Sequence, residues 1–214
     1  MILVLVCSIT NHPQTMKNAS IDYTPLGLFG FSITSILISL HGLGVFPLNA
    51  LVISMALVFG GATQLLVGLQ AYKHGYSFAG ITFSAYGLYW LSYVGILLLP
   101  ALNIVPTPPA ALVGSYFILW AVFTSTMTIM AHRLSRLDFI IFLTLAVVYF
   151  LLALHQFLPF SSINILSSIM GIICGCCAFY LAMTKVLQQE LVFLPLPAQI
   201  VLPSKNTDIQ QEHS

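Results

Sequence analysis

Residues 139–184 read FIIFLTLAVVYFLLALHQFLPFSSINILSSIMGIICGCCAFYLAMT, a run without a single Asp, Glu, Lys or Arg. One membrane-crossing helix needs about 20 mainly apolar residues, so the run has room for two. The turn signal at Leu158–Ser162, built around Pro159, divides it. Working outward, residues 23–72 and 74–132 are also free of charge, and each is divided in the same way. Gly42–Asn49, with Pro47, breaks the first, and Pro100–Pro109, with Pro106 and Pro108, breaks the second. The pattern predicts six helices over 26–44, 48–71, 79–99, 110–131, 138–157 and 163–185.

The whole composition agrees. Of 214 residues, 59% are hydrophobic and only 5% are charged, with a mean hydropathy of +1.01. A soluble domain carries about 25% charged residues, so this chain could not cover a water-facing surface. A net charge of +1 offers no basic patch for phosphates, which excludes a nucleic-acid binder. The apolar runs are continuous and lack the alternation of barrel strands. The expected fold is therefore all-α: a polytopic membrane protein with six transmembrane helices.

The few charges then orient the spans. Lys17 lies before the first helix, Lys73 between the second and third, Arg133 and Arg136 between the fourth and fifth, and Lys185 and Lys205 at or beyond the end of the sixth. All six cations thus share one face, and the positive-inside rule makes that face cytoplasmic, with both termini inside. Residues 1–21 read as an N-terminal arm, 22–197 as the transmembrane domain and 198–214 as a polar tail. Ile2–Cys7 is apolar but too short to span, and reads equally as an interfacial anchor or an unstructured end.

Cys174, Cys176 and Cys177 would point in different directions on a helix, so they read as small packing residues and not as metal ligands. Cys7 stands alone. Gly171 and Gly175 form a GxxxG that allows close approach of another helix, and Gly60, Gly61 and Gly68 offer the same on the second span.

Polar groups inside a membrane are costly and mark function by default. Gln64 lies deep in the second span and Tyr86 near the middle of the third, which makes them candidates for a polar path. Gln70, Tyr89, Thr124–Thr128 and Asn164 are further intramembrane polar positions. His41, His155 and Gln156 fall near span ends, where headgroup contact is the competing reading. Apart from Asp138 and Lys185, at the very ends of the fifth and sixth predicted helices, no Asp, Glu, Lys or Arg falls within a span, so a buried carboxylate relay is not on offer. No catalytic cluster, metal site or phosphate loop stands out, so no cofactor is expected. Passage of a small, weakly held solute fits best.

Several ordered motifs carry a resemblance. Asp22-Tyr23-Thr24-Pro25-Leu26-Gly27-Leu28 is similar to the NPAPLGL signature that opens the first span of the acetate uptake transporter family, of the succinate–acetate permease type. Thr34, Ser35 and Leu40-His41 resemble its continuation. Gly60-Gly61 with Gln64, then Lys73, Gly75 and Phe78, then Phe83-Ser84-Ala85-Tyr86-Gly87 with Trp90, follow in the family's order. Tyr180-Leu181-Ala182 and Leu194-Pro195 resemble its end.

The resemblance implies six-helix protomers assembled as a homo-hexamer in the cell membrane, each with its own pore for acetate and, in some members, succinate. It implies a narrow apolar constriction formed by Phe31, Tyr86 and Leu145, with Thr34, His41 and Gln64 as polar pore-lining candidates. On the residues alone, without the resemblance, Phe31 and Leu145 read as ordinary helix-packing residues. Two solute classes remain open on the residues themselves, small carboxylates and ammonia or another small solute, as does a non-conducting membrane sensor. The signature's Asn and first Pro are Asp22 and Tyr23 here, and an Asp at the pore mouth would repel an anion.

Overall fold

The computed structural model describes residues 22–190. The N-terminal arm with Ile2–Cys7 and Lys17, and the tail with Leu194-Pro195 and Lys205, lie outside the described residues. Six helices are long and apolar enough to cross a membrane. They are α1 (Thr24–Gly42), α2 (Ala50–Lys73), α3 (Ser77–Ala101), α4 (Ala110–Ala131), α5 (Arg136–Phe157) and α6 (Ser161–Glu190).

Local chemistry explains the starts. The Asn49 side chain accepts from the Leu51 and Val52 N–H groups at 3.0 and 3.2 Å, capping α2. Ser135 caps α5, its hydroxyl accepting from Asp138 N at 3.0 Å and donating to the Asp138 carboxylate at 2.5 Å. Glycines at positive φ, Gly44 at 78° and Gly75 at 79°, turn the chain after α1 and α2.

Two boundaries depart from expectation. Pro100 does not end α3, which runs on to Ala101. The sixth helix, expected over 163–185, extends to Glu190 because nothing after Lys185 breaks it. Within α2, residues Met55–Thr63 adopt a wider π-helical turn, which periodicity cannot anticipate. The Thr63 hydroxyl, donating to the Val58 carbonyl at 3.1 Å, reflects that register.

The helices form a ring. α1 packs on α6 and α2, α2 on α3, α6 on α5, and α5 on α4. The ring closes between α3 and α4 through bulky rings. Tyr89 lies 5.1 Å from Trp120 and 5.1 Å from Tyr149, centroid to centroid. Small residues allow the tight seams. A Cβ on Gly87 would sit 2.6 Å from Leu65 N and 2.8 Å from the Gly61 carbonyl oxygen. The GxxxG of α6 meets α1, where a Cβ on Gly175 would lie 3.1 Å from the Ser32 carbonyl oxygen and one on Gly171 would collide with the Ser39 hydroxyl.

Large aliphatics cover the outside: Leu119 is 71% exposed and Ile129 69%. Such a surface suits lipid and not water. The chain is a multi-pass membrane protein. Its described charges collect at one end, where Asp22, Asp138 and Lys185 line a common cavity.

Candidate functional site

Two cavities lie inside the ring, one of about 810 Å³ and one of about 390 Å³. Phe31 from α1 and Leu145 from α5 line both, so the cavities meet at these two side chains. Phe31 is 6% exposed and Leu145 7%. Tyr86 of α3 stands on the larger-cavity side, its ring 6.3 Å from that of Phe31. The Tyr86 hydroxyl and the Thr124 hydroxyl of α4 are 2.9 Å apart. Trp120, Phe123 and Phe142 surround the same ring at 6.0, 5.7 and 6.1 Å. Tyr86 is thus held at both its ring and its oxygen.

The larger cavity runs from this neck to the charged end. Gln64 lines it, is 1% exposed, and has no hydrogen-bond partner for its Nε2 among the described residues. The π-helical turn ends just before Gln64, and Gly30 lets that turn approach α1, since a Cβ there would collide with the Phe59 carbonyl oxygen. At the mouth, Lys185 donates to Asp22 Oδ2 at 3.3 Å and to Thr24 Oγ1 at 3.0 Å. Asp22 Oδ1 also accepts the Thr24 N–H at 2.9 Å, serving the start of α1. Burial pushes the Asp22 carboxyl up, but the Thr24 hydrogen bonds and the Lys185 ammonium outweigh it and hold the carboxyl below its usual range. The repulsion expected from Asp22 is therefore offset by a cation that the signature alone does not reveal.

The smaller cavity runs the other way. His41, His155, Gln156 and Asn164 all line it, so these span-end residues face a shared interior space. Asn164 donates to the Gly42 carbonyl at 2.9 Å, and His41 Nδ1 lies 3.1 Å from the Phe46 carbonyl.

Not every candidate lines a cavity. Thr34, expected on the path, is absent from both walls. It is fully buried, and its hydroxyl donates to the Met55 carbonyl at 3.3 Å, in the seam between α1 and α2. In the signature, Asp22 and Leu28 line the larger cavity, Pro25 is buried in the first turn, and Gly27 packs under Phe83. Leu26 is 49% exposed. Gly68 lies where a Cβ would meet Ser84 N at 2.5 Å. Cys174 is buried, with Sγ 3.3 Å from the Ile141 carbonyl, whereas Cys176 is exposed and Cys177 half-buried, so the three diverge.

Sequence reasoning passed over Lys185 as the partner of Asp22 and Trp90 as a cavity wall. The spacing of Trp90 four residues after Tyr86, on the same face of α3, was the available signal for the second.

Known proteins resemble this chain in sequence and fold. Residues 9–204 match the model of the GPR1/FUN34/yaaH family. The chain is 38% identical over 173 residues to the succinate-acetate/proton symporter SatP of Escherichia coli (strain K12), covering 81% of this chain and 92% of that one. It is 28% identical over 163 residues to the ammonia transport outward protein 3 of Saccharomyces cerevisiae (strain ATCC 204508 / S288c), covering 73% of this chain and 59% of that one. The solved structure of the bacterial acetate channel SatP superposes with a TM-score of 0.80 at 37% identity, covering 82% of this chain and 98% of that one. Six spans, the ordered motifs and the family match over residues 9–204 lead to one assignment: the chain belongs to the GPR1/FUN34/yaaH family.

Proposed function

We propose that this chain is a cell-membrane permease that passes acetate and related small monocarboxylates through a pore in its own six-helix bundle. It is not an enzyme in this reading. The observation that carries it is the pair of cavities meeting at Phe31 and Leu145. Similarity to a succinate-acetate symporter and to an acetate channel supports the substrate class. Both termini face the cytoplasm, with the charged end of the bundle on that side. The protomers assemble as a homo-hexamer, in line with the family resemblance.

The chemistry follows from the walls. A carboxylate at the charged mouth meets Lys185, then the free amide hydrogens of Gln64, then the neck. The neck holds Phe31, Leu145 and a Tyr86 hydroxyl already shared with Thr124, so it offers little to replace a hydration shell. It therefore favours a small solute that sheds little water, and weak binding lets that solute leave. No Asp, Glu, Lys or Arg lines the smaller cavity, so a coupled proton travels on the substrate or by His41 or His155.

A second reading, export of ammonia, draws on the likeness to the ammonia transport outward protein and on the uncharged neck. Labelled acetate flux into proteoliposomes, with and without a pH gradient and at two membrane potentials, tests both. Saturable acetate flux, competed by other small carboxylates and not by ammonium, is expected. Flux no greater than in protein-free vesicles overturns the acetate reading.

A further inference from the structure

The larger cavity is lined by three charged side chains among the described residues: Asp22 before α1, Asp138 in the first turn of α5 and Lys185 near the end of α6. Two carboxylates against one ammonium leave a net negative charge at the mouth. The ammonium is already committed. Lys185 donates to Asp22 Oδ2 at 3.3 Å and to Thr24 Oγ1 at 3.0 Å.

Asp138 has no such cation among the described residues. Its carboxylate accepts from the Ser135 hydroxyl at 2.5 Å, and Ser135 Oγ in turn accepts the Asp138 N–H at 3.0 Å. This neutral clasp positions the carboxylate without cancelling its charge. His132, Arg133 and Arg136, around the α4–α5 connection, are exposed and do not line the cavity.

Asp138, Ile141, Phe142 and Leu145 all line this cavity, and their spacing puts them on one face of α5. At 1.5 Å per residue, Asp138 stands about 10 Å along the helix from Leu145 at the neck. An anion between the mouth and the neck therefore shares a wall with an unpaired carboxylate. At a given distance the repulsion is twice as large for a dianion as for a monoanion, and apolar walls such as Phe78 and Phe83 screen it poorly.

We propose that Asp138 is a charge filter in the larger cavity, which favours small monocarboxylates and disfavours dicarboxylates before either reaches the neck. This rests on the permease reading and deepens it, naming the residue that sets the preference for one negative charge over two.

Competition at the mouth reads this charge without requiring the competitor to pass the neck. Labelled acetate enters proteoliposomes holding the full chain with the charged mouth outward, at about pH 7.5, where both carboxyls of succinate are ionised. The competitor is succinate or its monomethyl ester, which keeps the carbon chain and carries one charge. In the natural chain the ester should inhibit at lower concentration than succinate. Asp138→Asn keeps an oxygen for the Ser135 hydroxyl. It should lower the half-inhibiting succinate concentration about three- to tenfold and move that of the ester less. Asp138→Glu should retain the gap between the two competitors. Added salt should narrow the gap in the natural chain and leave Asp138→Asn nearly unchanged, a response that a merely structural residue would not give. A succinate-to-ester ratio that is the same in the natural chain and in conducting Asp138→Asn overturns the filter and leaves the permease reading standing. Succinate that inhibits neither protein has the same consequence. Acetate flux no greater than in protein-free vesicles overturns the permease reading and the filter with it.

Discussion

The Tyr86 hydroxyl lies 2.9 Å from Thr124 Oγ1, and both side chains are buried. This bond ties α3 to α4 where large rings otherwise keep the two helices apart, and it sets the angle at which Tyr86 faces the neck. Thr124→Val keeps the volume and removes the partner. It should cost about 1–3 kcal/mol through the unsatisfied phenol, read as a lower melting temperature in detergent. Size selectivity should loosen less than in Tyr86→Ala, because the ring remains.

The Asp22–Lys185 pair at the charged mouth sets the local charge that an entering anion meets. Asp22→Asn leaves Lys185 its Thr24 contact and frees its charge for a substrate carboxylate, so half-saturating acetate should fall. Lys185→Gln leaves Asp22 and Asp138 facing the cavity without that cation, so the value should rise. Kinetics of uptake in proteoliposomes with the charged mouth outward check both directions.

The Asp22 carboxyl is held below the usual carboxylate range, so its contribution to stability is complete above that range. It is lost only as pH falls through the depressed value. Any change in acetate flux between about pH 5 and 8, the interval in which imidazoles commonly titrate, should therefore survive in Asp22→Asn. Disappearance of that pH dependence in the variant would contradict the assignment.

Gln64 has a buried Nε2 without a protein partner, a cost that folding alone does not require. Gln64→Leu should raise the melting temperature by removing that unsatisfied donor, while half-saturating acetate rises about three- to tenfold. Stability and transport moving together, in either direction, would contradict a substrate-facing amide.

Gly87 touches the α2 backbone, whereas Gly95 has nothing within 4 Å of where its Cβ would stand. Gly87→Ala should cost about 1–3 kcal/mol or more by overpacking. Gly95→Ala should be neutral or stabilising by about 0.5–1 kcal/mol, through helix propensity. Size-exclusion profiles and melting curves of the two variants provide the comparison.

Much of this was legible because membranes simplify sequence. Charge-free runs and proline breaks located six spans, since a bilayer tolerates few alternatives. Phe31, Tyr86 and Leu145 came from motif resemblance and not from periodicity; all three line the larger cavity, and Phe31 and Leu145 also line the smaller. Thr34 was misplaced because an apolar helix with little amphipathicity gives no sign of which face looks inward. The partnership of Asp22 with Lys185 joins positions at opposite ends of the domain, which no local pattern encodes. The π-helical turn at Met55–Thr63, which sets the rotation of Gln64, likewise has no period of its own in the sequence.

The central claim is that Phe31, Tyr86 and Leu145 form the size-limiting neck of a carboxylate pore. Its most direct test compares labelled acetate and lactate entry into proteoliposomes for the natural chain, Phe31→Ala and Tyr86→Ala. The expected result is acetate-selective flux in the natural chain and a lactate-to-acetate ratio that rises severalfold in both variants. A ratio unchanged in both variants, with the protein folded and conducting, would contradict it.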